Sequence, residues 1–436
     1  MTITPARAAF EATVVRVAGG RPLSGRIPVQ GSKNIALHLY AATLLADAPV
    51  VLAAAPDIID TGVCAQILTY TGAHVAVDGG RFAVTPAAAP CPVIHPELGR
   101  RVRTTVVLAA AVLARTGQVT FPYPGGDAFC PRLIDRHLAA MQAAGAEVLA
   151  DATTISARCG PHGVRAFTVD VDTPYGPSLG ATVTAMLLAA RAPGTSLITH
   201  PSIEPEVTET ARFLTERGAL IHFTGQGLHV SGSDWITGGD FTVAGDRIEA
   251  ATMIMAAAST GGSIHLDGIT ASAFPNGLTE ALSAAGISLT DDASGGVRAQ
   301  LNGPLQAIDA ATGPHPALPT DTAPQLAAML TQAHGSSLIT ERVYPSRNTH
   351  IAGLRAFGAD ISSTGPVIGL RGPIRLRPAT AAAEDIRAVT ALLIAALAAE
   401  GTSTIRGVYH LRRGYGHLLA NLAALGADIT TTSEAS

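Results

Sequence analysis

The chain reads as an α/β protein made of six copies of one unit, grouped as two similar lobes of three units each. Three observations predict this class. An amphipathic stretch, then Gly-Ala or a close variant, then a short β-branched run recurs six times, with its glycine at 72, 145, 218, 286, 358 and 426. The interval is about 70 residues, the sequence mark of a repeated supersecondary unit. Copies also carry an earlier helix-Gly-strand pattern, as in 104–117, 182–194, 250–262 and 386–401, each followed by a β-branched run. Finally, Val29-Gln30-Gly31-Ser32-Lys33 and Val243-Ala244-Gly245-Asp246-Arg247 share one order: strand, glycine, small polar residue, cation, helix.

Each element has a physical reason. Glycine after a helix supplies the left-handed cap that other residues enter only at a cost. The two strand-Gly-cation segments mark crossovers near 29–34 and 243–247. They predict a first lobe over 33–244 and a second over 1–32 plus 245–436. At 436 residues the chain exceeds what one core supports. Hydrophobic content of 47% with 14% charged residues describes a folded chain, and 4% aromatics leaves Ala, Val, Leu and Ile to build the core.

Composition also excludes. Net charge is −4, without a basic run, which argues against a nucleic-acid partner. Cys64, Cys91, Cys130 and Cys159 show neither C-x-x-C nor zinc-ligand spacing, so neither a disulfide framework nor a metal site is expected, and a reducing cytoplasm fits. The opening residues lack a signal-peptide pattern, and the longest apolar runs are too short for a membrane span.

Candidate chemistry follows the chain. Lys33 is its only lysine among 29 basic residues, so a compact, titratable ammonium stands where Arg serves elsewhere. It opens a predicted helix over 35–45, where backbone amides favour anions. Arg103 precedes the next helix. Tyr123-Pro124-Gly125-Gly126-Asp127 and Cys130-Pro131-Arg132 form a loop of fixed bends and mobile joints, a lid with Asp127 at its tip. Cys130 ranks below Asp127 as a reactive group, since no histidine is paired with it. Asp135 and His137 stand at a helix start, as ligand contacts or as helix-end charge and capping.

Tyr175-Gly176-Pro177-Ser178-Leu179-Gly180 offers backbone amides to an anion. Pro314, Pro316 and Pro319 stiffen the approach to Asp321, a general base or an N-cap. Arg347, Asp385-Ile386-Arg387 and Arg413 sit at corresponding boundaries. Repeat symmetry would gather Lys33, Arg103, Arg132, Arg347, Arg387 and Arg413 at one cleft. Like charges with little acid nearby call for a poly-anionic ligand.

With these motifs in view, the chain resembles the enolpyruvyl transferases, most of all their UDP-N-acetylglucosamine branch in peptidoglycan synthesis. The resemblance spans nearly the whole chain and rests on Gly-Ser-Lys-Asn at 31–34, Pro-Gly-Gly at 124–126, Gly-Ala-Thr-Val-Thr at 180–184, Glu-Pro-Glu at 204–206, Gly-Asp-Arg-Ile at 245–248, Pro-Thr-Asp at 319–321 and Arg-Gly-Tyr at 413–415. It implies two inverse α/β barrels, each of three βαβαββ units. It also implies transfer of the enolpyruvyl group of phosphoenolpyruvate to a sugar hydroxyl, with release of phosphate and no cofactor or metal.

On that resemblance Lys33, Arg132 and Arg413 hold the phosphate, and Arg347 and Arg387 the carboxylate. Asn34 and Arg103 line the acceptor side, with Asp135, His137, Ser178, Gly180 and Asp385 as further substrate contacts. Asp321 takes the acceptor hydroxyl's proton, and Asp127 protonates the methylene carbon. Most of the family has Cys at the Asp127 position, so this chain is expected to resist fosfomycin, the epoxide that alkylates that thiol. Leu133 after Arg132, and Gly176 where many members have Lys, depart from the family pattern. These departures admit a sibling enzyme acting on another uridine nucleotide, such as uridine monophosphate in nucleoside antibiotic synthesis. A non-catalytic repeat protein that binds anions or proteins is the alternative of another class.

Overall fold

The computed structural model describes residues 13–127, 129 and 133–433. Among these, six sheets form, five of four strands and one of three. Each follows one plan. Val50–Ala53 pairs in parallel with Gly239–Thr242 on one side and antiparallel with Arg81–Thr85 on the other. Arg81–Thr85 then pairs antiparallel with His74–Asp78. The three-stranded sheet of Gln118–Pro122, Thr154–Cys159 and Ala146–Ala150 keeps only a parallel bridge, Val93 to Thr120, where the others have a fourth strand.

The chain divides into two compact units. One takes the described residues of Met1–Gln30, Asp127–Cys130 and Gly245–Ser436, and the other those of Gly31–Gly126 and Pro131–Ala244. Each unit holds three sheets and three inner helices: Lys33–Thr43, Thr105–Thr116 and Leu179–Ala189 in one, and Arg247–Ser259, Ala323–Leu330 and Ile386–Ala398 in the other. All of Arg247–Ser259 and nearly all of Ile386–Ala398 are buried. A helix apolar on every side has to lie inside, and alternating strands turn one face toward it and one toward water. Arg81–Thr85 shows that alternation, with Phe82 and Val84 buried between exposed Arg81 and Thr85. Within each unit the helices are therefore inside and the sheets outside, an inverse α/β barrel. Abundant alanine lets the inner helices pack closely without large aromatics.

Capping decides where these helices begin. Ser32 and Ser178 accept the amides of Ile35 and Ala181, while Asp246 and Asp385 each accept two amides of their own helices. Each cap contributes about 1 kcal/mol. The helices predicted at 35–45 and 182–194 accordingly start earlier, at Lys33 and Leu179, directly after their caps. The six repeat glycines all have positive φ, from 86° at Gly358 to 103° at Gly218. Each follows an outer helix, which is the reason the motif repeats. No helix among the described residues is long and apolar enough to cross a membrane.

One inner helix carries a buried acid. Glu249 is fully buried and accepts the amide of Gln30 at 3.2 Å. Burial, then the charge of Asp246, pushes its carboxyl up to about 8. In the unfolded chain it ionises near 4.3, so the folded state loses stability as pH rises from there through about 8. Glu249→Gln is therefore expected to raise the melting temperature at pH 8, with a gain of about 1–3 kcal/mol that vanishes near pH 4. Thermal scans across that range check it, and a gain independent of pH would contradict it.

Candidate active site

In the unit containing Gly31–Gly126, Ser32 makes Lys33 the first residue of its helix. Lys33 Nζ lies 3.2 Å from Asp60 Oδ2, with side chains 11% and 4% exposed. Asp60 stands in the first turn of Ile59–Tyr70, where a carboxylate suits the helix dipole. Asn34 is half-buried beside Lys33.

The same unit places Arg103, His137, Ser178 and Gly180 around the start of Leu179–Ala189. His137, in the first turn of the helix Asp135–Ala143, joins Thr184 Oγ1 through Nδ1 at 2.8 Å. Burial, then the Arg103 and His38 charges, lowers it to about 3, so it stands neutral. Arg103 donates to the Leu133 carbonyl at 3.1 Å. Gly180 is small for a reason: a β-carbon there would sit 2.7 Å from the His137 ring. Asp135 is exposed and 3.9 Å from Arg136.

The loop before Ser178 is less available to an anion than its composition suggests. The amides of Tyr175, Gly176 and Ser178 already donate to Thr173 Oγ1, the Thr173 carbonyl and the Val171 carbonyl. Threonine at 173 closes the turn on itself.

In the other unit, Asp321 occupies the short 3-10 turn Thr320–Thr322 ahead of Ala323–Leu330. One carboxylate oxygen accepts Arg347 Nη2 at 3.0 Å and the other accepts Arg387 Nη2 at 2.6 Å. Burial alone would raise the Asp321 carboxyl, but the charges and hydrogen bonds of Arg387 and Arg347 outweigh it and hold it well below the usual carboxylate range. Arg347 also stacks on Phe129, with its guanidinium carbon 4.1 Å from the ring centre. Arg387 Nη1 donates to Tyr415 Oη at 2.6 Å, and Tyr415 meets Thr252 Oγ1 at 3.3 Å.

By its contacts Asp127 belongs to this second unit. It accepts the first amide of the helix Ile386–Ala398, from Ile386 at 3.1 Å, and pairs with Arg413. His410 Nδ1 is 3.7 Å away. Asp385 takes the next two amides, from Arg387 and Ala388, and accepts the hydroxyl of Thr349. The structure thus gives Asp385 the N-cap. Arg132 and Cys130 lie outside the described residues.

One expectation is corrected for four of its six cations, which have acid beside them: Lys33 pairs with Asp60, Arg347 and Arg387 with Asp321, and Arg413 with Asp127. A buried cation without a counter-charge costs several kcal/mol, so each of these four has a carboxylate beside it, Arg347 and Arg387 sharing one. Sequence reasoning missed Asp60, although acid opening an apolar helix signalled it. It also missed Glu341, whose partners Thr312 and Thr320 lie more than 20 residues upstream, beyond any local pattern.

The EPSP synthase model, 3-phosphoshikimate 1-carboxyvinyltransferase, matches residues 17–422. UDP-N-acetylglucosamine 1-carboxyvinyltransferases of Hyphomonas neptunium and Rhodospirillum centenum are each 36% identical, over 96% of this chain and 98% and 99% of theirs. The crystal structure of the enolpyruvyl transferase NikO from Streptomyces tendae superposes with a TM-score of 0.85 at 27% identity, covering 97% of this chain and 99% of that one. EPSP synthase from Acinetobacter baumannii, at 18% identity and a TM-score of 0.76, shares the fold. These likenesses run the length of both barrels and set aside the non-catalytic repeat reading. The chain belongs to the EPSP synthase family and is an enolpyruvyl (1-carboxyvinyl) transferase.

Proposed function

We propose that the protein transfers the enolpyruvyl group of phosphoenolpyruvate to a hydroxyl of UDP-N-acetylglucosamine. The acceptor oxygen adds to C2 of phosphoenolpyruvate and a proton adds to C3, giving a tetrahedral ketal. Loss of a C3 proton and of phosphate then restores the double bond. Asp321 takes the acceptor hydroxyl's proton, and Asp127 delivers the proton to C3. Lys33, Arg132 and Arg413 hold the phosphate, and Arg347 and Arg387 the carboxylate. Asn34, Arg103, Asp135, His137, Ser178, Gly180 and Asp385 serve the substrates' remaining groups. The reading places the enzyme in the cytoplasm, acting on small molecules.

The observation that carries this reading is the Asp321–Arg347–Arg387 triad. Two guanidiniums locked to Asp321 make it a poor base. A substrate carboxylate that draws them away restores its basicity at the moment a proton must be taken. The same logic serves Asp127: a carboxylate that yields its arginine to a phosphate dianion holds a proton more readily. Cations in place before charge builds on the leaving phosphate supply the main stabilisation of the transition state.

Gly176 and Leu133, both off the family pattern, favour a second acceptor: another uridine nucleotide, such as uridine monophosphate. Phosphate release from phosphoenolpyruvate, measured with UDP-N-acetylglucosamine and with uridine monophosphate, tests both. Turnover with the sugar nucleotide is expected. Turnover with the monophosphate alone would move the protein to the second reading, and turnover with neither would remove both.

A further inference from the structure

Glu341 follows the strand Gly335–Thr340 and is buried. Its Oε1 accepts from Thr312 Oγ1 at 2.7 Å and from the amides of Val343 and Tyr344, each at 2.9 Å. Its Oε2 accepts from Thr320 Oγ1 at 2.8 Å. Thr320 in turn receives Arg347 Nη1 twice, on its hydroxyl at 2.8 Å and on its carbonyl at 2.6 Å. A threonine hydroxyl has one proton. Both Glu341 oxygens accept, and Oε2 takes that proton, so the hydroxyl's lone pairs are left for Arg347. Tyr344, whose amide Glu341 holds, lies with its ring 5.4 Å from the Arg347 guanidinium and packs edge-on against Phe129. The bonds to Thr320, Val343 and Tyr344 end at a group that touches Arg347 or at the loop carrying it, and Thr312 Oγ1 in turn accepts the amide of Arg342 in that loop at 2.9 Å.

We propose that Glu341 is a positioning residue for Arg347, orienting the Thr320 hydroxyl and the Tyr344 loop so that the guanidinium is set to receive the substrate carboxylate. This rests on the role given to Arg347 above. Glu341 itself need not touch substrate.

Glu341→Gln is the selective probe. Its amide oxygen can go on accepting from Thr312, Val343 and Tyr344, while its NH2 meets Thr320 as a donor and reverses that one bond. Calorimetric titration with phosphoenolpyruvate is expected to show Kd raised roughly ten-fold or more. KM should follow, kcat should change less, and the melting temperature should stay near wild type. Thr320→Val, which keeps the other three bonds to Glu341, should weaken binding likewise, and it carries the same test should E341Q fail to fold. The double variant should bind no worse than Thr320→Val alone. Wild-type affinity in both single variants, or an equal further loss in the double variant, would overturn the proposal while leaving the enzymatic reading intact. A wild-type protein that does not bind phosphoenolpyruvate would overturn the enzymatic reading and this inference with it.

Discussion

Replacing Lys33 with arginine lowers kcat/KM for phosphoenolpyruvate by about 100- to 1,000-fold, with thermal unfolding close to wild type. The charge survives the exchange, so Asp60 keeps a counter-ion. Geometry does not survive it. An ammonium directs three donors from one point, whereas a guanidinium is a flat fork on a longer stem. Lys33 is nearly enclosed, 3.2 Å from Asp60, so the direction of its donors is fixed. Lys33→Ala is the harsher variant. It removes the ammonium beside buried Asp60, at a cost of about 3–5 kcal/mol, so it should melt well below wild type. Phosphate-release kinetics beside thermal scans separate the two effects. Near-normal turnover in Lys33→Arg would show that any cation suffices there.

Asp321→Asn combines two losses. As the proposed base, Asp321 is expected to contribute about 100- to 10,000-fold to kcat. As the shared partner of Arg347 and Arg387, it is also the buried counter-charge between two guanidiniums. The asparagine variant should therefore be both nearly inactive and less stable, by about 3 kcal/mol near neutral pH. The stability loss has a pH signature. The folded-state carboxyl lies below its ordinary value of about 3.9, so its stabilisation is full above that value and fades as pH falls toward the depressed one. The gap between wild type and variant should accordingly be constant near neutrality and narrow below about pH 4. Urea unfolding at several pH values measures it. A variant with wild-type kcat would remove Asp321 from proton transfer, whatever its stability.

Much of this protein was legible before its structure. The six glycine caps follow from a local rule, since a chain leaving a helix through positive φ nearly demands glycine, and all six have that conformation. The helix starts at Ser32, Ser178, Asp246 and Asp385 are equally local, because a capping side chain reaches only two or three residues ahead. Lys33, alone of its type, and the arginines at repeat boundaries stood out for the same reason: position along the chain and residue type were enough.

The identity of each cation's partner was not legible. Asp321 and Arg387 are 66 residues apart, and Asp127 and Arg413 are 286 apart. No periodicity encodes such pairings. They arise when sheets and helices pack and a buried charge must find the nearest opposite one. For that reason the residue types and repeat boundaries came from the sequence alone, while the tertiary structure decided that Lys33, Arg347, Arg387 and Arg413 each meet a carboxylate and that Glu341 lies behind Arg347. Local conformational preference acts over a few residues, whereas electrostatic neutralisation acts across whatever distance the fold closes.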